Sequence, residues 1–267
     1  MKKKSGVISN MSANTMDTCT NLIRNAKKIV VLTGAGISTE SGIKDFRSKT
    51  GIYSLAPEYI LSLDYFYQHP KEFYQFAIEN LYHPEAVPNK GHEILAKWEQ
   101  EGKVATIITQ NIDGLHQRAG SKNVIEFHGT MKTATCLNCG KNYSTDEMLS
   151  RMETMEDFYI CNNCIANNKL EQYIKPDVVL FGDTGTWFSM AGIQTILRYM
   201  QEADFVLVLG TSLLVAPFST FPQYRRQGVP LIIINKGETP YDFGQDTYVI
   251  HESIGKTMEE INNQLHP

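Results

Sequence analysis

Cys136-Leu-Asn-Cys139 and Cys161-Asn-Asn-Cys164 form two Cys-x-x-Cys pairs on either side of a polar spacer. Paired knuckles at this spacing can set four thiolates tetrahedrally around one zinc ion, a pattern that neither a core nor disulfides would require. Other residues suit work on a nucleotide. Ile29-Val-Val-Leu32 runs into Thr33-Gly34-Ala35-Gly36, a buried strand entering a turn whose small residues let backbone approach a pyrophosphate. A plain tight turn explains Gly-x-Gly equally well. Thr39 occupies the third glycine position, and no strand ends in an acid about twenty residues on. A hydride-transfer enzyme therefore fits badly.

Three further stretches carry candidate groups. Ser41–Ser48 places Asp45, Phe46 and Arg47 in a row. Arg47 suits a phosphate and Phe46 could shield a reactive carbon, against the plainer reading of a solvated loop with one buried ring. Gln110, Asn111 and Asp113 follow the apolar run Ala105–Ile108. They stand at a strand's carboxyl end, where open α/β sheets bind ligands, although Asp113 could simply cap a helix. Val124-Ile-Glu-Phe-His128-Gly ends a strand in a histidine, a general-base candidate if it faces the pocket and a structural residue otherwise.

The elements that must position these groups follow an α/β rhythm. Apolar runs recur at Ala105–Ile108, Asp177–Phe181, Phe205–Leu209 and Leu231–Ile234, with helical patterns at Met16–Lys27, Trp187–Gln201 and Met258–Leu265. Buried strands alternating with helices predict a Rossmann-like parallel sheet covered on both faces. Residues 53–82 are crowded with aromatics and look helical; 131–174 hold the cysteines and are otherwise polar. Both read as insertions that together build a smaller helical and zinc-binding lobe. The expected division is 13–52, 96–130 and 175–267 for the nucleotide domain, 53–95 and 131–174 for the small lobe, and 1–12 as a flexible tail.

Composition narrows the function. Hydrophobic content of 42%, charged content of 20% and a net charge of −4 describe an ordinary globular enzyme, not a basic nucleic-acid binder. Lys2-Lys-Lys4 has no apolar stretch behind it to make a signal peptide, and no window approaches a membrane span. Cys19 stands alone as an unpaired thiol. Free thiols beside zinc knuckles predict a reducing compartment, the cytoplasm.

Together the runs Gly34–Arg47 and Thr109–Gly120, Phe127-His128-Gly129, the two cysteine pairs, Val178–Gly182 and Gly210-Thr-Ser-Leu213 occur in the order seen in sirtuins. From about residue 15 onward the chain resembles these NAD-dependent protein lysine deacylases. The resemblance implies that NAD is consumed as co-substrate and that Cys136, Cys139, Cys161 and Cys164 hold a structural zinc. Ala35, Thr39 and Arg47 would line the phosphate and ribose region, with Phe46 over the nicotinamide ribose and Gln110 meeting it. Ile112 and Asp113 would hold the carboxamide, Asn111 would support the reactive end, and His128 would be the base. Thr211, Ser212 and Asn235 would hold the adenosine, with Ser253 and Ile254 at the adenine. Val179, Phe181 and Gly182 would pair with the backbone of an acylated-lysine peptide.

Two positions depart from the sirtuin pattern. Lys44 stands where proline is usual, which predicts a looser cofactor loop, and Asp183 replaces glutamate. No arginine lies between Arg47 and Arg118 to bind an acidic acyl group, so acetyl or longer aliphatic groups are the expected cargo. The rivals are a protein mono-ADP-ribosyltransferase and a non-catalytic NAD-sensing zinc scaffold. A scaffold predicts a missing base or a broken Asn-Ile-Asp, yet His128, Asn111 and Asp113 are all present.

Overall fold

The computed structural model describes residues 5–164 and 172–266, with 5–14 as backbone only. Among the described residues, six strands form one parallel sheet: β1 (Ile29–Thr33), β2 (Val104–Thr109), β3 (Val124–Glu126), β7 (Phe205–Leu209), β8 (Leu231–Ile234) and β9 (Thr247–Ile250), ordered β3-β2-β1-β7-β8-β9. Its central strands are largely apolar because helices cover both faces. All five residues of β1 and of β7 are buried. Helices α1 (Ser5–Asn25), α4 (Lys90–Gln100) and α8 (Ile254–Leu265) cover one face, where Ile23, Leu95, Trp98, Met258 and Ile261 meet the strands. Across the sheet, α7 (Met190–Glu202) packs Ile196 and Met200 beside Phe218 and Phe221. β9 was missed in the sequence because Thr247-Tyr-Val-Ile is only partly buried at the sheet's edge.

Between β1 and β7 the strand order reverses direction along the chain, which opens a crevice at their carboxyl ends. The Gly-Ala-Gly turn and the Gly210-Thr211 turn meet there. A Cβ on Gly36 would lie 2.7 Å from Gly210 Cα, so these glycines first serve the close approach of two backbone turns. A 3-10 helix, Ala35–Ser41, follows β1.

The smaller lobe has its own core. A three-stranded antiparallel sheet, β5-β4-β6, consists of β4 (Gly129–Cys136), β5 (Asn142–Ser144) and β6 (Ile174–Val178). Against it pack α2 (Leu63–Gln68), α3 (Pro70–Asn80) and α6 (Thr145–Thr154), burying Phe66, Phe73, Tyr74 and Phe158. The aromatic run is thus this lobe's core. Phe66 meets Phe73 and Tyr173 edge to face at 5.3 and 6.0 Å. Buried Tyr74 donates its hydroxyl to the Ile174 carbonyl at 2.8 Å.

Two segments lie differently from the expected bounds, and one strand assignment needs correction. The backbone of residues 5–12 is helical, as the start of α1, with no glycine or proline from Val7 to Asn25 to stop it; residues 1–4 lie outside the described residues. The break expected at 95 falls inside α4, whose amphipathic face places Ile94, Leu95 and Trp98 in the main core. Finally, the run Asp177–Phe181 does not join the parallel sheet. Its start belongs to β6, where the alternating partner β4 satisfies it, and Val178 and Leu180 are buried in the small lobe.

Candidate active site

A cavity of about 630 Å³ lies between the crevice of the parallel sheet and the small lobe. Ala35, Thr39, Phe46, Arg47, Gln110, Asn111, Ile112, Asp113 and His128 all line it, although they come from segments up to 93 residues apart (128 − 35). Thr211, Ser212, Asn235 and Ile254 line the part above β7 and β8, and Val179, Phe181 and Gly182 the part beside the small lobe. Ser253 is not in the lining. It precedes α8 as its N-cap residue and accepts no capping bond through its side chain; Glu252 reaches the cavity in its place.

Hydrogen bonds fix the polar groups at the strand ends. Thr211 donates through Oγ1 to Gln110 Oε1 at 2.7 Å, joining the turns after β7 and β2. Asn111 Nδ2 donates to Ser38 Oγ at 3.0 Å, and Ser38 Oγ donates to Asp113 Oδ2 at 2.7 Å. The other Asp113 oxygen accepts from Leu115 N at 2.9 Å, at the start of the short helix α5 (Leu115–Arg118). The N-cap of α5 is Gly114 and not Asp113, which instead holds the first helical N–H from one residue earlier and also belongs to the pocket. Ser38 went unnoticed because a lone serine in a glycine-rich turn carries no signal until a partner 75 residues away is known.

The loop after the 3-10 helix closes on itself. Ser48 N donates to Asp45 Oδ1 at 2.8 Å, and Ile52 N and Tyr53 N donate to the carbonyls of Asp45 and Phe46. Arg47 is paired with Glu58 at 3.0 Å and lies 5.2 Å from the Tyr53 ring centre. Phe46 packs at 5.5 Å from the same ring.

His128 enters the cavity at the junction of the two lobes. Gly129 follows it with φ +80°, and any Cβ there would collide with the Asp177 carbonyl; only glycine allows β4 to leave the histidine at this angle. Val179 N donates to the His128 carbonyl at 2.8 Å, tying the histidine backbone to the Val178–Gly182 segment. Burial pushes the imidazole down to about 4, opposed by a bond to the Gln110 backbone carbonyl. At neutral pH the ring is therefore uncharged and able to accept a proton. Two more histidines lie behind the site. His116 Nε2 is 3.0 Å from Thr33 Oγ1, and its ring centre is 4.8 Å from that of His92. Burial lowers both, His92 to about 4.

The cysteines form a separate centre. Cys136 Sγ lies 3.7 Å from Cys164 Sγ, Cys139 Sγ lies 3.8 Å from Cys161 Sγ, and all four sulfurs fall within 4.8 Å of one another. A tetrahedron with metal–sulfur bonds of about 2.3 Å has edges of about 3.8 Å, whereas a disulfide needs about 2.05 Å. The four thiols fit zinc and are not disulfide-bonded. Cys19 is fully buried in the main core, with its thiol pushed up to about 12 by burial.

An open Rossmann-like sheet joined to a four-cysteine lobe, with a buried histidine in the cleft between them, defines an α/β protein with a nucleotide-type cleft and a metal-type knuckle. Residues 34–217 match the Sir2 family, and the chain belongs to it. It is 41% identical over 224 residues to an NAD-dependent protein deacetylase of Thermotoga maritima, covering 83% of this chain and 87% of that one. It is 40% identical to an NAD-dependent protein deacetylase of Clostridium tetani over 94% of this chain and 99% of the relative. A solved Sir2 structure with a deacetylated p53 peptide and 3'-O-acetyl ADP ribose superposes with a TM-score of 0.84 at 36% identity, covering 93% of this chain and 98% of that one.

Proposed function

We infer that this protein is an NAD-dependent protein deacetylase that removes acetyl or other apolar acyl groups from lysine. The observation that carries the reading is the neutral His128 at the meeting point of the two arms of one cavity. One arm holds the nucleotide-type residues, and the other runs along Val179, Phe181 and Gly182.

In the proposed reaction the acyl oxygen attacks the anomeric carbon of the nicotinamide ribose as nicotinamide leaves. His128 then takes a proton from the ribose hydroxyl that attacks the acyl carbon. Water completes the release of free lysine and O-acyl-ADP-ribose. Asp113 and Ile112 hold the carboxamide and Asn111 supports the reactive end. Gln110 holds the ribose under Phe46, Ala35, Thr39 and Arg47 hold the phosphates, and Thr211, Ser212, Asn235 and Ile254 hold the adenosine. Ser253 contributes by starting α8. Leucines and isoleucines beyond Phe46, among them Ile52, Leu61 and Leu81, make an apolar end suited to aliphatic groups.

Zinc, when bound by the four cysteines, ties β4 to the second knuckle and takes no part in the chemistry. The enzyme acts in the cytoplasm on acylated proteins and needs no nucleic acid; the free thiols and net charge of −4 support this. Among the described residues no helix is long and apolar enough to cross a membrane. The test is nicotinamide release from NAD with an acetyl-lysine peptide. Release that requires both reactants supports the reading, and release independent of the peptide refutes it.

A further inference from the structure

We propose that Lys175 is a positioning residue for the substrate peptide, acting through Asp183 and the backbone between them. Lys175 sits in β6, outside the cavity lining of the active site, and is only 9% exposed. Its Nζ donates to the Pro176 carbonyl at 3.0 Å, to the Val178 carbonyl at 2.7 Å and to Asp183 Oδ2 at 2.8 Å. These acceptors match the three donors of an ammonium group.

The clamp spans the segment placed along the peptide, in which Phe181 commits its backbone to Leu61 and Leu63 and meets the cleft through its half-exposed ring. Val179 N is held by the His128 carbonyl, while Phe181 N donates to Leu61 O and accepts through its carbonyl from Leu63 N. Asp183 Oδ1 accepts from Thr184 N at 2.7 Å, and Asp183 N donates to the Leu180 carbonyl. The segment is thus strapped to both lobes, with Phe181 left 43% exposed on the cleft side. A peptide that adds as a strand gains affinity only from an edge whose backbone is already extended and held. Lys175 supplies that order from behind, and it draws Asp183 inward with a side chain one methylene shorter than glutamate. Without the ammonium, a mostly buried carboxylate and two carbonyls lose their donor.

This inference rests on the deacetylase reading, and two substrates separate the two claims. One is acetyl-lysine with blocked ends and no flanking residues; the other is the same acetyl-lysine within a longer peptide. Lys175→Met is expected to raise the peptide KM about tenfold or more, with KM for NAD and kcat/KM for blocked acetyl-lysine within about twofold of wild type. Lys175→Arg restores most of the peptide affinity. Equal loss on both substrates, or no change on either, overturns the proposal. Wild-type protein inactive on both would refute the deacetylase reading instead. If Lys175→Met does not fold, Lys175→Gln, which removes the charge and at least one of the three donor bonds, is put through the same comparison with the same two outcomes.

Discussion

Ser38 and Asp113, 75 residues apart, are joined by a 2.7 Å hydrogen bond, and Asn111 donates to the same serine oxygen at 3.0 Å. One hydroxyl from the turn after β1 therefore aligns two pocket side chains on the loop after β2. Ser38→Ala leaves both short of a partner inside a mostly buried site, at a cost of about 1–3 kcal/mol. We expect Tm to fall by about 2–4 °C per kcal/mol lost, and kcat/KM to fall about tenfold or more as Asn111 and Asp113 lose their alignment. Full activity in this variant would show that the serine is incidental.

His128→Ala should lower kcat by about two to four powers of ten while the fold persists. Because burial holds the imidazole at about 4, the acid limb of kcat/KM should lie well below pH 6.5, the ordinary value for histidine. Brief assays on the cold enzyme would locate that limb. A limb at 6.5 or above would mean that the free ring is not held neutral by its surroundings.

Stability should respond to the same pH range through His92 and His116. Their folded-state values lie below the ordinary 6.5, so below that pH the unfolded chain binds protons that the folded chain refuses. Their neutral burial costs nothing extra above 6.5. Stability is then lost as pH falls toward 4, by about 1.4 kcal/mol per pH unit for each ring that stays neutral. Melting curves recorded in steps through this window test the sign. A flat or rising Tm would contradict it.

Removing the metal should act through the lobe. Cys136→Ser or strong chelation should lower Tm by about 10 °C or more and abolish activity indirectly, because ligand binding and local folding are one process. A metal-free protein with unchanged melting and turnover would dismiss a structural role for the cysteines.

Acyl preference follows from the apolar end of the cavity. On one peptide sequence, acetyl-lysine should be turned over faster than succinyl-lysine, by about tenfold or more, since an unpaired carboxylate would be buried there. Faster removal of succinyl would overturn this.

The sequence made the central strands legible because β1 and β7 are buried on both faces and carry unbroken apolar runs. The cysteine pairs were legible because their spacing is short and their chemistry specific. What stayed hidden depends on long-range closure. β6 reads like the parallel strands but pairs with β4, which no local pattern reveals. Ser38 and Lys175 matter through partners brought to them by the fold, and Ser253 falls outside the lining because α8 begins there. Short, half-exposed β9 lacks the apolar signature altogether.

The most direct measurement follows the acetyl group itself. Purified protein is incubated with NAD and an acetyl-lysine peptide, and all products are weighed by mass spectrometry. The expected result is free-lysine peptide, nicotinamide and acetylated ADP-ribose in equal amounts, with none formed when either reactant is omitted. A peptide that keeps its acetyl group and gains ADP-ribose, or free acetate formed without NAD, would contradict the account.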